Sequence, residues 1–186
     1  MKNKKLAVLF SGRGSNFAYI IENLHLQGFE IAVAISNNTK AKGIEIAHKN
    51  NIPLEIIDSK AFTSREAFDK VLVKTLEKYA PNLTILVGFM RILTPHFTEN
   101  IKSINLHPSL LPRHKGLHAI ERSYEDKHAF GGVSVHWVSS ELDAGNIILQ
   151  REISKKGLSF EDYDEQVRVL EKEVLVEAIK QVSNQC

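Results

Sequence analysis

An asparagine and a histidine stand two residues apart at the end of a short apolar run, within the segment Ser103–Gly116. Because side chains alternate along a strand, Asn105 and His107 should point to the same side. An amide can stabilise an oxyanion and an imidazole can move a proton, so the pair suits acyl-type chemistry. A strand-capping asparagine beside a packed histidine is the alternative. Pro108 and Pro112 weigh against it, because they stiffen the following loop.

An acid in the later segment Ser140–Gly145 is a third candidate. A loop acid followed by a glycine is usually part of a turn. If this loop folds back on the end of the sheet, the Asp143 carboxylate can orient His107 and raise its pKa by stabilising the charged ring. Sequence spacing alone does not establish the contact.

Two glycines, Gly12 and Gly14, lie between an apolar run and a helical pattern. Glycines let the backbone approach a ligand, and the first turn of a helix offers free N–H groups, so a phosphate is expected here. The dinucleotide fingerprint needs a glycine where Phe17 stands and prefers an acid where Ser36 and Asn37 stand, so NAD is disfavoured. A tight turn without a ligand remains open.

Arg65 is a fourth candidate, in the first turn of a predicted helix. A cation there opposes the helix dipole at a cost of roughly 0.3–1 kcal/mol. Either the arginine is solvated and the helix tolerates this cost, or the side chain meets an anion at the edge of the sheet.

Apolar patterning predicts the elements that must hold these residues. Continuous apolar runs predict buried strands at residues 6–10, 31–35, 54–57, 83–88 and 101–106. Helical spacing predicts a first helix closed by Gly28 and a second over residues 40–50. The third helix is predicted to have Thr63 as N-cap, in a capping box with Glu66.

Strands and helices that alternate in this way indicate a mostly parallel, doubly wound sheet. Further along, residues 133–138 and 147–153 alternate as antiparallel strands do, and apolar residues from Tyr163 to Val182 form one stripe of a long final helix. The predicted fold class is therefore α/β with antiparallel C-terminal strands, in a single domain over residues 1–186.

Composition limits the possible partners. The chain has 186 residues, a formal charge of +2 and 43% hydrophobic residues. Scattered basic residues and a small net charge give no sign of a nucleic-acid or membrane partner. One cysteine, Cys186, supplies neither a disulfide framework nor a thiolate metal site, and no apolar run is long enough for a signal peptide or a membrane span. A cytoplasmic location is expected.

Six motifs together resemble the phosphoribosylglycinamide formyltransferases, purine-pathway enzymes that use 10-formyltetrahydrofolate. They follow in the same order from about residue 5 to the last helix, and an Asn-x-His-Pro-Ser-Leu-Leu-Pro segment with a later Leu-Asp-x-Gly is specific to folate-dependent formyl transfer. The motifs are Ser11–Asn16, Gly88–Leu93, Asn105–Pro112, Gly116–His118, Val133–His136 and Glu141–Gly145.

The resemblance implies a Rossmann-like formyltransferase fold in which residues 1–100 bind the nucleotide phosphate and residues 101–186 hold the catalytic and folate-binding half. It also implies a role for each matching residue. These residues are Asn105, His107 and Asp143 for catalysis, His136 in support, Gly14, Ser15 and Asn16 for phosphate, Glu171 for the nucleotide substrate, and Arg65, Met90, Arg91, Ile92, Leu93 and Asn105 for folate.

The implied reaction moves the formyl group of 10-formyltetrahydrofolate to the amine of 5-phosphoribosylglycinamide, giving formylglycinamide ribonucleotide. Asn105 would donate to the oxyanion, His107 would act as acid or proton shuttle, and Asp143 would orient His107 and raise its pKa. The folate is a cosubstrate, no cofactor is expected to be tightly bound, and no metal is needed. A monomer or homodimer is expected.

Other formyl-handling enzymes share part of this pattern. A methionyl-tRNA formyltransferase is expected to carry an additional C-terminal domain, and a formyltetrahydrofolate hydrolase an N-terminal regulatory domain. A formyltransferase acting on a nucleotide-linked amino sugar shares the core motifs, and the intact catalytic trio weighs against a non-catalytic binding module. The chain departs from many relatives at Lys115, which replaces proline, and at Ala119 and Ile120, which replace more polar residues.

Overall fold

The computed structural model describes residues 3–184, so the prediction that Cys186 supplies neither a disulfide framework nor a thiolate metal site lies outside the described residues. The strands are β1 Lys4–Phe10, β2 Phe29–Ser36, β3 Leu54–Ile56, β4 Leu83–Leu86, β5 Ser103–His107, β6 Phe130–Trp137 and β7 Ile147–Ser154. The helices are α1 Ser15–Leu24, α2 Gly43–Lys49, α3 Arg65–Tyr79, α4 Pro95–Asn100, α5 Ala119–Glu125 and α6 Phe160–Ser183, with a short 3₁₀ turn at Ser59–Ala61.

The strand order is β3-β2-β1-β4-β5-β6-β7. Strand β1 pairs in parallel with β2 and β4, β2 pairs in parallel with β3, and β6 pairs antiparallel with β7. This confirms the predicted fold class, a mostly parallel doubly wound sheet with antiparallel C-terminal strands and a long last helix. The order reverses beside β1, and in open sheets of this kind ligands bind where the order reverses.

The described chain forms two compact units, one ending at Ile104 and the other beginning at Asn105. Each unit has a core of its own. The single domain and the division of roles between its halves, nucleotide phosphate in the first and catalysis in the second, stay predictions.

The core of the first unit is built on β1, whose residues from Leu6 to Phe10 are fully buried. A strand covered on both faces is expected to be apolar throughout, as this one is. Phe10 stacks on Phe17 of α1 with ring centroids 5.3 Å apart. At Gly43 a Cβ atom would lie 2.5 Å from the Phe10 ring, so α2 begins at the one residue type that fits against it.

Three predicted helix boundaries in this unit are wrong. Helix α1 ends at Leu24 rather than near Gly28, because the chain turns there and His25 forms a bridge with Phe29. Helix α2 is shorter than residues 40–50. The N-cap of α3 is Ser64, whose hydroxyl accepts the backbone N–H of Ala67 at 3.0 Å, and not the neighbouring Thr63.

Two short helices, α4 and α5, were not predicted. They contain six and seven residues, and each buries only one or two side chains. Runs this short give no clear helical period in a sequence, so packing rather than patterning defines them.

In the second unit, α6 packs against β6 and β7. The Tyr163 hydroxyl of α6 lies 3.0 Å from Ser123 Oγ of α5. Both face Gly131 of β6, where a Cβ atom would stand 1.8 Å from the tyrosine hydroxyl. Glycine is therefore required where these three elements meet.

The loop after β5 is anchored to β6 and β7. Ser134 Oγ donates to the carbonyl of Ser109 at 2.6 Å and accepts the N–H of Leu111 at 3.0 Å. Gln150 Nε2 donates to the carbonyl of Leu111 at 2.9 Å. The Leu111–Pro112 peptide bond is cis. These contacts hold the loop that leads away from Asn105 and His107.

Gly131→Ala should lower the free energy of unfolding by about 1–3 kcal/mol, because the added methyl group forces α6 away from β6. Urea unfolding measures the change. Gly12→Ala is the matched control: no heavy atom lies within 4 Å of its Cβ position, so its effect should stay within about 0.5 kcal/mol. Equal losses in the two variants would contradict the packing argument.

Candidate active site

Asn105 and His107 both face one buried carboxylate. Asn105 Nδ2 donates to Asp143 Oδ1 at 3.3 Å, and His107 Nδ1 lies 3.4 Å from Asp143 Oδ2. The alternating geometry of β5 brings the two side chains to the same side, so one carboxylate reaches both. The three residues that the sequence singled out for chemistry therefore lie in contact.

The loop between β6 and β7 carries Asp143 to this position. Asp143 adopts a left-handed backbone conformation with φ of 49°, and its Oδ2 accepts the N–H of Gly116 at 2.8 Å. At Gly145 a Cβ atom would stand 1.7 Å from the carbonyl oxygen of Trp137, so only glycine lets the loop fold back on the end of β6. The Leu-Asp-x-Gly pattern thus has a steric reason.

His136 sets the orientation of the Asn105 amide. His136 Nδ1 lies 2.9 Å from the carbonyl of Trp137, which can only accept, so this nitrogen carries the proton in the neutral ring. The bare Nε2 then accepts from Asn105 Nδ2 at 3.2 Å. Both amide hydrogens of Asn105 are directed at acceptors, one on His136 and one on Asp143. The opposite amide orientation would set an oxygen against the carboxylate.

The His107 ring lies between two acceptors. Its Nε2 donates to the backbone carbonyl of His114 at 2.9 Å, so that nitrogen carries the proton in the neutral form. Its Nδ1 faces the Asp143 carboxylate. A proton added at Nδ1 would complete an ion pair, so the arrangement can take up, hold and return one proton.

Burial decides the charge of His107. Removal from water lowers the pKa of the ring, while the Asp143 carboxylate and the His114 carbonyl act to raise it, and His136 and Arg122 lower it further. The net pKa lies below the usual value of 6.5. Asp143 acts in the predicted direction, but the expectation of a raised pKa is wrong, because burial outweighs the carboxylate.

Asp143 itself stays ionised. Burial acts to raise the pKa of its carboxyl group, but the neighbouring His136 and His107 rings, which are charged at the low pH where the carboxyl group titrates, and the Gly116 N–H together hold that pKa below its usual value. At neutral pH the cluster therefore combines a neutral imidazole with a carboxylate anion.

The glycine-rich turn lies in the first unit, at the end of β1. Gly14 has φ of +77°, and a Cβ atom there would come 2.8 Å from Gly43 Cα. No side chain caps the start of α1, and its first turn holds no acid, which suits an anion. Asn16 Oδ1 is buried without a hydrogen-bond partner, so it can accept from a ligand. Ser15, the first residue of α1, is exposed.

The segment after β4 lies beside this turn. The Ser11 N–H donates to the Gly88 carbonyl at 3.1 Å, and Ser11 Oγ accepts the N–H of Met90 at 2.7 Å. Met90 and Ile92 are exposed, at 65% and 47%, although both are large and apolar. The two segments meet at the reversal of strand order within the first unit.

Alternate residues of the same segment point inward. Leu93 is buried, and the Arg91 guanidinium lies 4.3 Å from the centroid of the Phe68 ring. Arg91 Nε is buried without a hydrogen-bond partner. Alternation of outward and inward side chains thus leaves two apolar groups accessible to a ligand.

The two remaining predicted site residues lie on helices. Arg65 is exposed at the first position of α3 and forms no ion pair within residues 3–184. Glu171 is half-buried on α6, where its charge acts to raise the pKa of Arg168.

Sequence reasoning missed His114, whose carbonyl holds His107. The residue adopts a left-handed conformation with φ of 56°, which histidine enters more readily than most residues but which no motif announces. Lys115, noted as a departure, forms an ion pair with Glu141 at 3.0 Å. Both contacts depend on how the loop after β5 is folded.

Among residues 3–184, no group of three or more His, Cys, Asp or Glu side chains is arranged to hold a metal ion. None of the helices described is both long enough and apolar enough to cross a membrane.

The chain matches a family model described as formyl transferase over residues 4–179. It is 39% identical over 152 residues to phosphoribosylglycinamide formyltransferase of Escherichia coli (strain K12), covering 80% of this chain and 72% of that protein. It is also 36% identical over 188 residues to the trifunctional purine biosynthetic protein adenosine-3 of Bos taurus. That match covers 98% of this chain but only 19% of the longer relative.

A solved structure is similar to nearly the whole chain. Phosphoribosylglycinamide formyltransferase from Campylobacter jejuni subsp. jejuni NCTC 11168 has a TM-score of 0.95 and 49% sequence identity. The match covers 97% of this chain and 98% of that chain.

Asp143→Asn should lower the pKa of His107 still further, because it removes the carboxylate that acts to raise it. A titration of the histidine ring signals by NMR measures both values, and the wild-type ring should titrate below 6.5. Since the unfolded ring binds its proton at higher pH than the folded ring, burial of His107 costs stability as pH falls below 6.5. Asp58→Asn, in the other unit, should leave the His107 titration unchanged. A higher pKa in Asp143→Asn would contradict the assignment.

Proposed function

Because the chain belongs to the formyl transferase family and to its phosphoribosylglycinamide formyltransferase branch, we propose that it transfers a formyl group in purine synthesis. The donor is 10-formyltetrahydrofolate, and the acceptor is the amine of 5-phosphoribosylglycinamide. The observation that carries the proposal is the buried Asp143 carboxylate in contact with both Asn105 and His107.

The first step is attack of the acceptor amine on the formyl carbon. A tetrahedral intermediate forms, and its oxygen becomes negative. Asn105 donates to this oxygen by turning one amide hydrogen away from its present acceptor. The present contacts of 3.2 and 3.3 Å are at the long end for N–H donors, so the exchange costs little.

The second step is proton transfer. His107 takes the proton that the attacking amine loses, becoming an imidazolium stabilised by Asp143. It then returns the proton to the folate nitrogen as the C–N bond breaks and the carbonyl re-forms. A neutral ring beside a carboxylate is the right starting state for both halves of this transfer.

The nucleotide substrate is assigned to the glycine-rich turn of the first unit. Gly14, Ser15 and Asn16 hold the phosphate of the ribonucleotide at the uncapped start of α1, with the unpaired Asn16 Oδ1 free to accept from a ribose hydroxyl. Glu171 of α6 is assigned to the nucleotide substrate.

The folate contacts are assigned to a separate set of residues. Met90 and Ile92 offer exposed apolar surface for a flat ring, while Arg91 and Leu93 support the segment from inside. Arg65 attracts the carboxylates of the folate tail from its exposed position. Asn105 contacts the formyl group.

The purified protein should form formylglycinamide ribonucleotide when both substrates are present and in neither single-substrate reaction. His107→Ala should lower kcat by on the order of 10² to 10⁴, since it removes the proton carrier. Asp143→Asn should also lower kcat, and Asn105→Ala should lower it by about 10² to 10³. Product is measured by chromatography, and the fold by circular dichroism.

Matched controls separate chemistry from disturbance of the fold. His48→Ala removes an exposed histidine on α2, and Asp58→Asn keeps the acceptor that caps the 3₁₀ turn, so both should retain full activity. Transfer of the formyl group to water or to a nucleotide-linked amino sugar, with none to the ribonucleotide, would replace the proposed acceptor. Full activity of His107→Ala or Asp143→Asn would remove that residue from the mechanism.

Arg65→Ala should weaken binding of the folate a few-fold and reduce the salt dependence of that affinity, because an exposed ion pair contributes up to about 1 kcal/mol and is screened by salt. Binding is measured by calorimetry at low and high salt. Lys70→Ala on the same helix is the control for net charge. An affinity unchanged by Arg65→Ala would mean that the arginine is simply solvated.

A further inference from the structure

A second carboxylate of this unit, Asp126, lies outside the proposed catalytic cluster, with 14% of its side chain exposed. Its Oδ1 accepts from Lys155 Nζ at 2.6 Å and from the N–H of His128 at 2.9 Å. Its Oδ2 accepts from His114 Nε2 at 2.6 Å and from Arg113 Nη1 at 3.3 Å. Such a concentration of charged partners is more than a loop at the end of a seven-residue helix requires.

Lys155 anchors this carboxylate to the end of α5. Besides Asp126 Oδ1, its ammonium donates to the carbonyls of Ser123, Tyr124 and Asp126, at 2.7, 3.2 and 2.9 Å. Only 9% of the lysine side chain is exposed. A cation at this point is favourable because the last carbonyls of a helix carry partial negative charge. The position of Asp126 is therefore fixed from one side.

His114 contacts the Asp126 carboxylate on the side opposite Lys155, at Oδ2. Asp126 Oδ2 can only accept, so His114 Nε2 carries a proton at their 2.6 Å contact. His114 has a left-handed backbone conformation. The contact with Asp126 fixes its side chain, and this in turn holds the direction of the His114 carbonyl. That carbonyl is the acceptor for His107 Nε2.

We propose that Asp126 is a positioning residue that acts through His114 to keep the proton of the neutral His107 ring on Nε2 and to hold the ring in place for formyl transfer. The inference rests on the proposed function for its effect on turnover. Without a carbonyl at Nε2, the strong acceptor that the ring keeps among residues 3–184 is the Asp143 carboxylate at Nδ1, 3.4 Å away. The proton of the neutral ring would then move to Nδ1.

The effect on turnover follows from the charged form of the ring. An imidazolium at His107 donates to both acceptors, the Asp143 carboxylate and the His114 carbonyl. Loss of one acceptor disfavours the imidazolium, so proton transfer slows, whereas substrate binding does not involve either contact. The kcat value should therefore fall while both KM values stay within about twofold.

His114→Phe tests the link while leaving Asp126 paired with Lys155 and Arg113. It should move the neutral His107 ring from the Nε2–H to the Nδ1–H tautomer, which the ¹⁵N chemical shifts of the ring distinguish without any substrate. It should also lower kcat about tenfold or more. Asp126→Ala should produce the same tautomer change. If Asp126→Ala fails to fold, His114→Phe alone decides.

Two further variants serve as rescue and control. His114→Gln places an amide donor close to the original Nε2 position and should restore the Nε2–H tautomer and most of the lost turnover. His118 has the same φ of 56° but is 76% exposed in its side chain and lies outside the network. His118→Phe therefore repeats the substitution at the same backbone conformation and should leave the His107 tautomer unchanged.

An Nε2–H tautomer that persists in His114→Phe would overturn the proposal, because the side chain would then have no hold on the carbonyl. A changed tautomer with unchanged kcat would also overturn it. A wild-type protein without formyl transfer would contradict the proposed function alone. The tautomer measurement would still decide whether Asp126 acts on His107.

Discussion

The Asp143 carboxylate must remain charged while it is almost entirely removed from water. Burial alone would protonate it, so the surrounding chain has to supply compensating donors. They are the N–H of Gly116 and the amide of Asn105. A loop that did not close over β5 would expose the carboxylate and release all of them. Closure of the loop and ionisation of the acid are therefore a single requirement.

This requirement also determines what the neighbouring side chains can do. Asn105 presents its hydrogens rather than its oxygen to the carboxylate, and the tautomer of His136 makes room for the second hydrogen. His107 is drawn toward the charged form by Asp143 and away from it by burial, with burial the larger effect. A ring balanced in this way is neutral at rest, and its cation is supported when it forms. That balance suits a group that must accept a proton and give it back.

Carboxylate charge is compensated by hydrogen-bond donors at two places in the second unit, at the buried Asp143 and at the partly exposed Asp126. Hydrogen bonds from Lys155 and His114 hold the pKa of the Asp126 carboxyl well below its usual range, although burial acts to raise it. The two sites share the loop after β5, which Ser134 and Gln150 anchor to the antiparallel strands. Besides the burial of Leu111, these hydrogen bonds to β6 and β7 define the course of the loop.

Patterns among neighbouring residues were enough to predict the parallel sheet, the antiparallel pair, the long final helix and the common face of Asn105 and His107. These features follow from the two periods of backbone geometry, which adjacent residues display directly. The capping residue Ser64, the short helices α4 and α5, the left-handed His114 and the lowered pKa of His107 were decided only in the folded chain. Apart from the Ser64 cap, whose partner Ala67 is three residues away, each depends on burial or on a partner far away in sequence. The free energy of a buried charge is a sum over all the groups that surround it, and only the tertiary structure determines which groups those are.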